Sequence, residues 1–149
     1  MIFSSMQLAD AILWYNGLKK NNINYITTSL LIPLILSIQI LYNVYIKNNN
    51  KNTLINILVI VVILYMFYRF NGYSESIYFN KLASPVWGSK EIMFWELLIF
   101  IIFIMYPTIG GMLFSIIILF LIKLFIGGAY GSLWCFISNI IMFYYLYKY

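Results

Sequence analysis

The chain contains no histidine, a single cysteine and only four acidic residues among its 149 positions. Without histidine, the commonest general base and the commonest metal ligand are both missing, so zinc, haem and Ser-His-Asp chemistry have no basis here. Cys135 has no partner for an intrachain disulfide, and no histidine stands ready to activate it or Ser138. Charged residues of any kind make up only 9% of the chain. A surface that sparse in charge does not belong to an ordinary water-soluble domain. The net charge of +5 comes mostly from Lys and Arg residues flanking apolar runs, an anchoring pattern that implies no nucleic-acid partner.

What is present is apolar. Hydrophobic residues account for 64% of the sequence, aromatics for 20%, and the mean hydropathy is +0.91. Six apolar segments stand out: Ile2 to Tyr15, Ile26 to Ile46, Thr53 to Tyr68, Ile92 to Tyr106, Thr108 to Ile126 and Ser132 to Tyr147. A spanning helix needs about 17 to 25 residues, so the first, third, fourth and last are short for one. The reading is an all-α, polytopic transmembrane bundle of about six helices, forming one domain over residues 1–149, with Ile2 to Tyr15 the least secure span. That first segment is a poor signal peptide, because no Lys or Arg precedes its apolar part and Asp10 interrupts it.

The connections are legible as well. Lys19 to Asn24 and Lys47 to Asn52 read as polar turns, Pro107 separates two helices, and Gly127, Gly128 and Gly131 separate the last two. Residues 69–91 read as an interfacial loop in which Ser74 to Leu82 forms a short surface helix and Ser84, Pro85, Trp87 and Gly88 mark a turn. If all six segments span, both termini share a side with Lys47 and Lys51. Lys19, Lys20, Arg69, Lys81 and Lys90 then lie on the other side, which the positive-inside rule makes cytoplasmic, or the matrix in a mitochondrion.

Polar groups inside hydrocarbon are costly, and so they are the candidates for function. Helix rise places Asp10, Glu96, Lys123 and Asn139 at comparable depth from one side, as a candidate polar layer. Glu96 is expected to pair with Lys123, leaving Asp10 to be protonated or matched by Lys19 or Lys20; Lys123 snorkelling to the interface is the competing expectation. Gln7, Asp10 and Trp14 share one helix face, as do Gln39 and Asn43, and amides so placed are read as interhelical glue. Gly111 and Ser115 form a small-xxx-small pair suited to close helix approach, whereas Gly127 and Gly131 are read as turn chemistry. Trp14, Trp87, Trp95 and Trp134 with several tyrosines read as an interfacial belt. Asp10 and Glu96 occupy equivalent places if the chain is two inverted three-helix halves.

In size, hydropathy and heavy use of Ile, Asn, Lys and Tyr, the chain resembles the small multi-pass respiratory-complex subunits that protist mitochondria encode. Tyr106, Gly110, Gly111 and Met112 are similar to a Tyr-x-Gly-Gly-Met stretch in a membrane subunit of proton-pumping NADH dehydrogenase, although Pro107 intervenes. The resemblance implies a mitochondrial inner-membrane setting beside proton-translocating subunits; a viral membrane protein shares the same composition. Two functions follow as expectations. One is a subunit that helps a proton or small cation cross the polar layer. The other is a structural or assembly subunit in which the same groups only set helix register. No catalytic residue, cofactor or metal is implied, and the expected partners are lipid, other membrane subunits or a second copy of the chain.

Overall fold

The computed structural model describes residues 5–79, 82–88, 90–126, 132–133 and 135–137. It is mostly helical. Helix α1 runs Ser5–Tyr15, α2 Asn22–Lys47, α3 Thr53–Arg69, α4 Phe94–Met105 and α5 Ile109–Phe125, and the described residues between 132 and 137 are helical. The rest of the segment Ser132 to Tyr147 lies outside the described residues. Among them, α2 alone is long and apolar enough, by length and composition, to cross a membrane. Helices α3 and α5, of 17 residues each, reach about 25 Å, and α4, of 12, about 18 Å.

Helix boundaries follow local chemistry. The Asn21 side chain accepts the Asn24 N–H and starts α2 earlier than hydropathy alone suggests, while Asn52 accepts from Leu54 and Ile55 at the start of α3. Within α2, Thr27–Leu31 winds with i to i+5 bonding just before Pro33. Pro33 has no N–H for the Ser29 carbonyl and its ring crowds that turn, so the helix widens there. A second wide turn spans Tyr42–Lys47.

The long helix α2 is the mast of the fold, contacted by α1, α3 and α4, while α5 packs on α4. Apolar residues at helical spacing make the core. They include Met6, Ala9 and Leu13 of α1, Ile32, Leu36, Ile40 and Val44 of α2, and Val59, Val62 and Met66 of α3. Leu97, Phe100, Ile101 and Ile104 of α4 and Leu119 and Ile122 of α5 complete it.

Residues 74–82 are not the expected surface helix. Strands β1, Glu75–Phe79, and β2, Leu82–Val86, pair antiparallel from Glu75 opposite Val86 to Phe79 opposite Leu82. Ile77, Tyr78 and Phe79 favour an extended, pleated backbone, and Pro85 would interrupt a helix but sits without cost on a two-stranded ribbon. The ribbon is tied to α2 through a buried polar network. The Asn24 amide donates to the Ser74 carbonyl at 2.9 Å while its oxygen accepts the Ser74 N–H at 2.8 Å, and the Thr28 hydroxyl lies 2.8 Å from that of Ser74. One helical turn away, Ser29 Oγ donates to the Gly72 carbonyl and accepts the Gly72 N–H. Both main-chain groups of each loop residue are thereby satisfied.

At the opposite end of the bundle, the helix break at Pro107 exposes carbonyls that α2 supplies with donors. Pro107 cannot donate to the Phe103 carbonyl, and Asn43 Nδ2 does so instead at 3.3 Å, also bonding the Tyr106 carbonyl. Asn48 Nδ2 adds a bond to Tyr106 at 2.9 Å. A Cβ added at Gly111 would meet Met105 at the end of α4 and Thr108 at ordinary contact distance, and Ser115 is buried.

Candidate functional site

The end of the bundle that carries the ribbon gathers the charged residues. Lys20 Nζ and Glu75 Oε1 lie 2.6 Å apart on the surface, so Lys20 is engaged with the ribbon and not with Asp10. The hydrogen bond to Glu75, then its negative charge, raises the Lys20 pKa above 10.5. Any contribution of this exposed pair to stability is present below that value and fades as pH rises through the raised one. Both side chains are well exposed, and solvent screening keeps it small.

Glu96 is buried in the first turn of α4. Its partner is Arg69 at the end of α3, and this corrects the expected pairing with Lys123. Arg69 Nε donates to Glu96 Oε1 at 2.7 Å and Nη2 to Oε2 at 3.1 Å, a bidentate fork. Tyr65, one turn earlier on α3, donates its hydroxyl to Oε1, and the Met93 N–H donates to Oε2 at 2.8 Å. Four donors meet four lone-pair positions, and the carboxylate has no acceptor capacity left. The guanidinium is engaged almost as fully, since Nη1 donates to the Lys90 carbonyl at 3.1 Å and Nη2 to that of Glu91 at 2.6 Å. The cluster therefore clasps the end of α3 to the start of α4. A proton carrier has to exchange partners, and this carboxylate is held by all of its partners at once.

Lys123 is exposed near the end of α5, with its Nζ 4.7 Å from the centre of the Phe94 ring. A cation over an aromatic face is a favourable contact, and it engages Lys123 away from Glu96.

Asp10 is buried at 6% exposure and receives the indole N–H of Trp87 at 2.7 Å. Trp87 follows β2 and turns inward, where it is 3% exposed and stands edge-on to Phe70, with ring centroids 6.2 Å apart. It is thus a core residue and not part of an interfacial belt. Gly88 makes that corner possible: its φ is +89°, and a Cβ there would lie 3.1 Å from the Arg69 carbonyl oxygen and 3.2 Å from Phe70 Cα. The Ser132 hydroxyl stands beside the same carboxylate without ordinary hydrogen-bond geometry, and Gln7 Nε2 donates to the Ser132 carbonyl at 3.3 Å. Among the described residues Asp10 has no cationic partner.

Of the four residues expected in one layer, Asp10 and Glu96 have separate sets of partners, Lys123 faces outward and Asn139 lies outside the described residues. The unlike settings of Asp10, beside a neutral indole, and Glu96, in an ion pair, give no support to equivalence between two inverted halves. Gln39 is buried one turn before Asn43 on α2. Sequence reasoning missed Arg69 and Trp87 as partners, and the usable signal was donor and acceptor matching: a chain with few acids and one arginine offers few ways to neutralise a buried carboxylate. Tyr106 and Gly110 fall on different helices, so the short stretch similar to the NADH dehydrogenase subunit is split by the turn at Pro107.

Over the Arg69 to Glu96 clasp lies an open cleft of about 450 Å³, lined by Tyr65, Tyr68, Asn71, Lys90 and Trp95 as well as the ion pair. No metal-binding group of side chains occurs among the described residues. No family model matches this chain, and no curated protein or solved structure matches it significantly.

Proposed function

We propose that this chain is a multi-pass integral membrane subunit whose buried polar groups hold its helices in register. The observation that carries the reading is the distribution of polarity. Leu30, Leu34 and Ile38 on α2, Leu54, Val61 and Leu64 on α3, and Leu113, Ile117, Phe120 and Leu124 on α5 are exposed, while Asn24, Thr28, Asn43, Glu96 and Ser115 are buried. An apolar exterior of this extent suits lipid contact, and the buried polar groups are the ones that need internal partners there. Helix α2 is long enough to cross a bilayer about 30 Å thick, and α3 and α5 reach nearly across with their flanking residues. Its partners in this reading are lipid and other membrane subunits or a second copy. The composition favours an organellar membrane such as the mitochondrial inner membrane, with a viral membrane as the other setting.

The saturated state of Glu96 favours a structural or assembly role over ion movement. One observation favours the second reading, a subunit that helps move a proton or small cation: Asp10 is a buried acid whose described partner is a neutral donor, and a proton or cation is the least costly substitute for a missing charge. Proton and cation flux into sealed vesicles containing the protein separates the two. The structural reading expects flux no greater than in empty vesicles, for wild type and Asp10→Asn alike. A pH-dependent flux in wild type that Asp10→Asn abolishes, with the helical signal unchanged, would replace it with the transport reading.

A further inference from the structure

The cleft over the Arg69 to Glu96 clasp has donors to spare and no carboxylate free to accept. Its one carboxylate, Glu96, is saturated, and its charge cancels that of Arg69. Lys90 is exposed; its main-chain oxygen receives Arg69, while its ammonium enters no ion pair among the described residues and leaves the cleft with a net positive charge. Asn71 is oriented by the Tyr25 hydroxyl, which donates to Oδ1 at 3.0 Å, so its NH₂ group is the part left to meet a ligand. An ammonium and an amide beside a carboxylate that accepts nothing more make a complement to an anion.

The walls say what kind of anion. Tyr68, at the end of α3, is 80% exposed and Trp95, at the start of α4, is 51% exposed, a level at which aromatic side chains mark the boundary of hydrocarbon and headgroups. One turn earlier on α3, Leu64 is 65% exposed. A ligand with a phosphate at the cationic end and an apolar tail along α3 would meet both surfaces. A volume of about 450 Å³ is within the range of small-molecule sites.

We propose that this cleft binds the phosphate of an anionic membrane lipid, with Lys90 Nζ and Asn71 Nδ2 as donors and Tyr68 and Trp95 beside the headgroup. The proposal rests on the membrane reading above, and its chemistry is that of basic pockets that hold lipid headgroups at helix ends.

The test uses the full chain in neutral detergent, titrated calorimetrically with water-soluble dihexanoyl phosphatidylglycerol. One saturable site is expected, with dihexanoyl phosphatidylcholine binding more weakly. Lys90→Gln should weaken the site about fivefold, Lys90→Arg should keep it, and Lys47→Gln at the other end of the bundle should leave it unchanged. Equal binding of the zwitterionic lipid, or unaltered binding by Lys90→Gln, would overturn the proposal. Displacement by inorganic phosphate at concentrations comparable to the lipid would overturn it too, in favour of a free phosphate ligand. Flotation of the protein with vesicles after alkaline carbonate separates the two levels. Flotation without selective binding counts against the cleft alone, whereas selective binding without flotation supports the cleft and counts against the membrane reading.

Discussion

Arg69→Met is expected to lower the unfolding free energy by about 3–5 kcal/mol, because it leaves Glu96 buried and ionised with its bidentate partner removed. Glu96→Gln should cost a similar amount, stranding the guanidinium and weakening the Tyr65 and Met93 bonds. The double substitution Arg69→Met with Glu96→Gln should cost clearly less than the sum of the two, since neither charge is then left alone. Lys123→Met should stay within about 0.5 kcal/mol of wild type, because its ammonium faces outward over Phe94. Unfolding in mixed micelles with a denaturing detergent measures all four. Additive effects of the Arg69 and Glu96 substitutions, or a cost for Lys123→Met as large as that for Arg69→Met, would show that the clasp has been drawn between the wrong residues.

Trp87→Ala is expected to cost about 3–5 kcal/mol, through lost packing against Phe70 and a cavity beside α1. Trp87→Phe keeps the packing of one ring and loses the N–H with part of the indole, so its cost of about 1–3 kcal/mol combines the bond to Asp10 with a smaller packing loss. Asp10→Asn should cost less than Trp87→Phe, because an amide oxygen can still accept from the indole. Adding Asp10→Leu to Trp87→Phe should restore part of the loss by removing the buried acceptor along with its donor. A silent Trp87→Phe, in the same unfolding measurement, would mean that the indole does not serve Asp10.

These two clusters also mark where sequence reasoning ran out. The helices were legible because apolar runs and their breakers are local: Asn52 caps α3 at the expected start, and α4 and α5 separate at Pro107 as expected. The Arg69 to Glu96 pair is not local. It depends on residues 70–93 returning the chain to the end of α3, and that return is made by a ribbon held through Asn24 and Ser74, whose side-chain bonds leave no periodic trace. Lys123 looked the better partner because α4 and α5 form a tight hairpin, but adjacency of helices does not decide which way a long side chain reaches. Trp87 was misplaced for a related reason. An indole serves equally well in an interfacial belt and in a core with one acceptor, and only the inward turn at Gly88 selects between them. Asn43 shows the opposite case. Its role at the break after α4 follows from the carbonyl that Pro107 cannot satisfy, a need visible in the sequence although its supplier on α2 was not.

In the membrane arrangement proposed above, the end bearing Lys20, Arg69 and Lys90 and the end bearing Lys51 and Tyr106 lie on opposite sides of a bilayer. Single cysteines at position 51 or 90, in a Cys135→Ser background, can be labelled with a membrane-impermeant maleimide in sealed vesicles before and after permeabilisation. In vesicles of one orientation, one of the two is expected to react at once and the other only after permeabilisation. Equal labelling of both from outside sealed vesicles of uniform orientation, or recovery of the protein in the carbonate-soluble fraction, would contradict it.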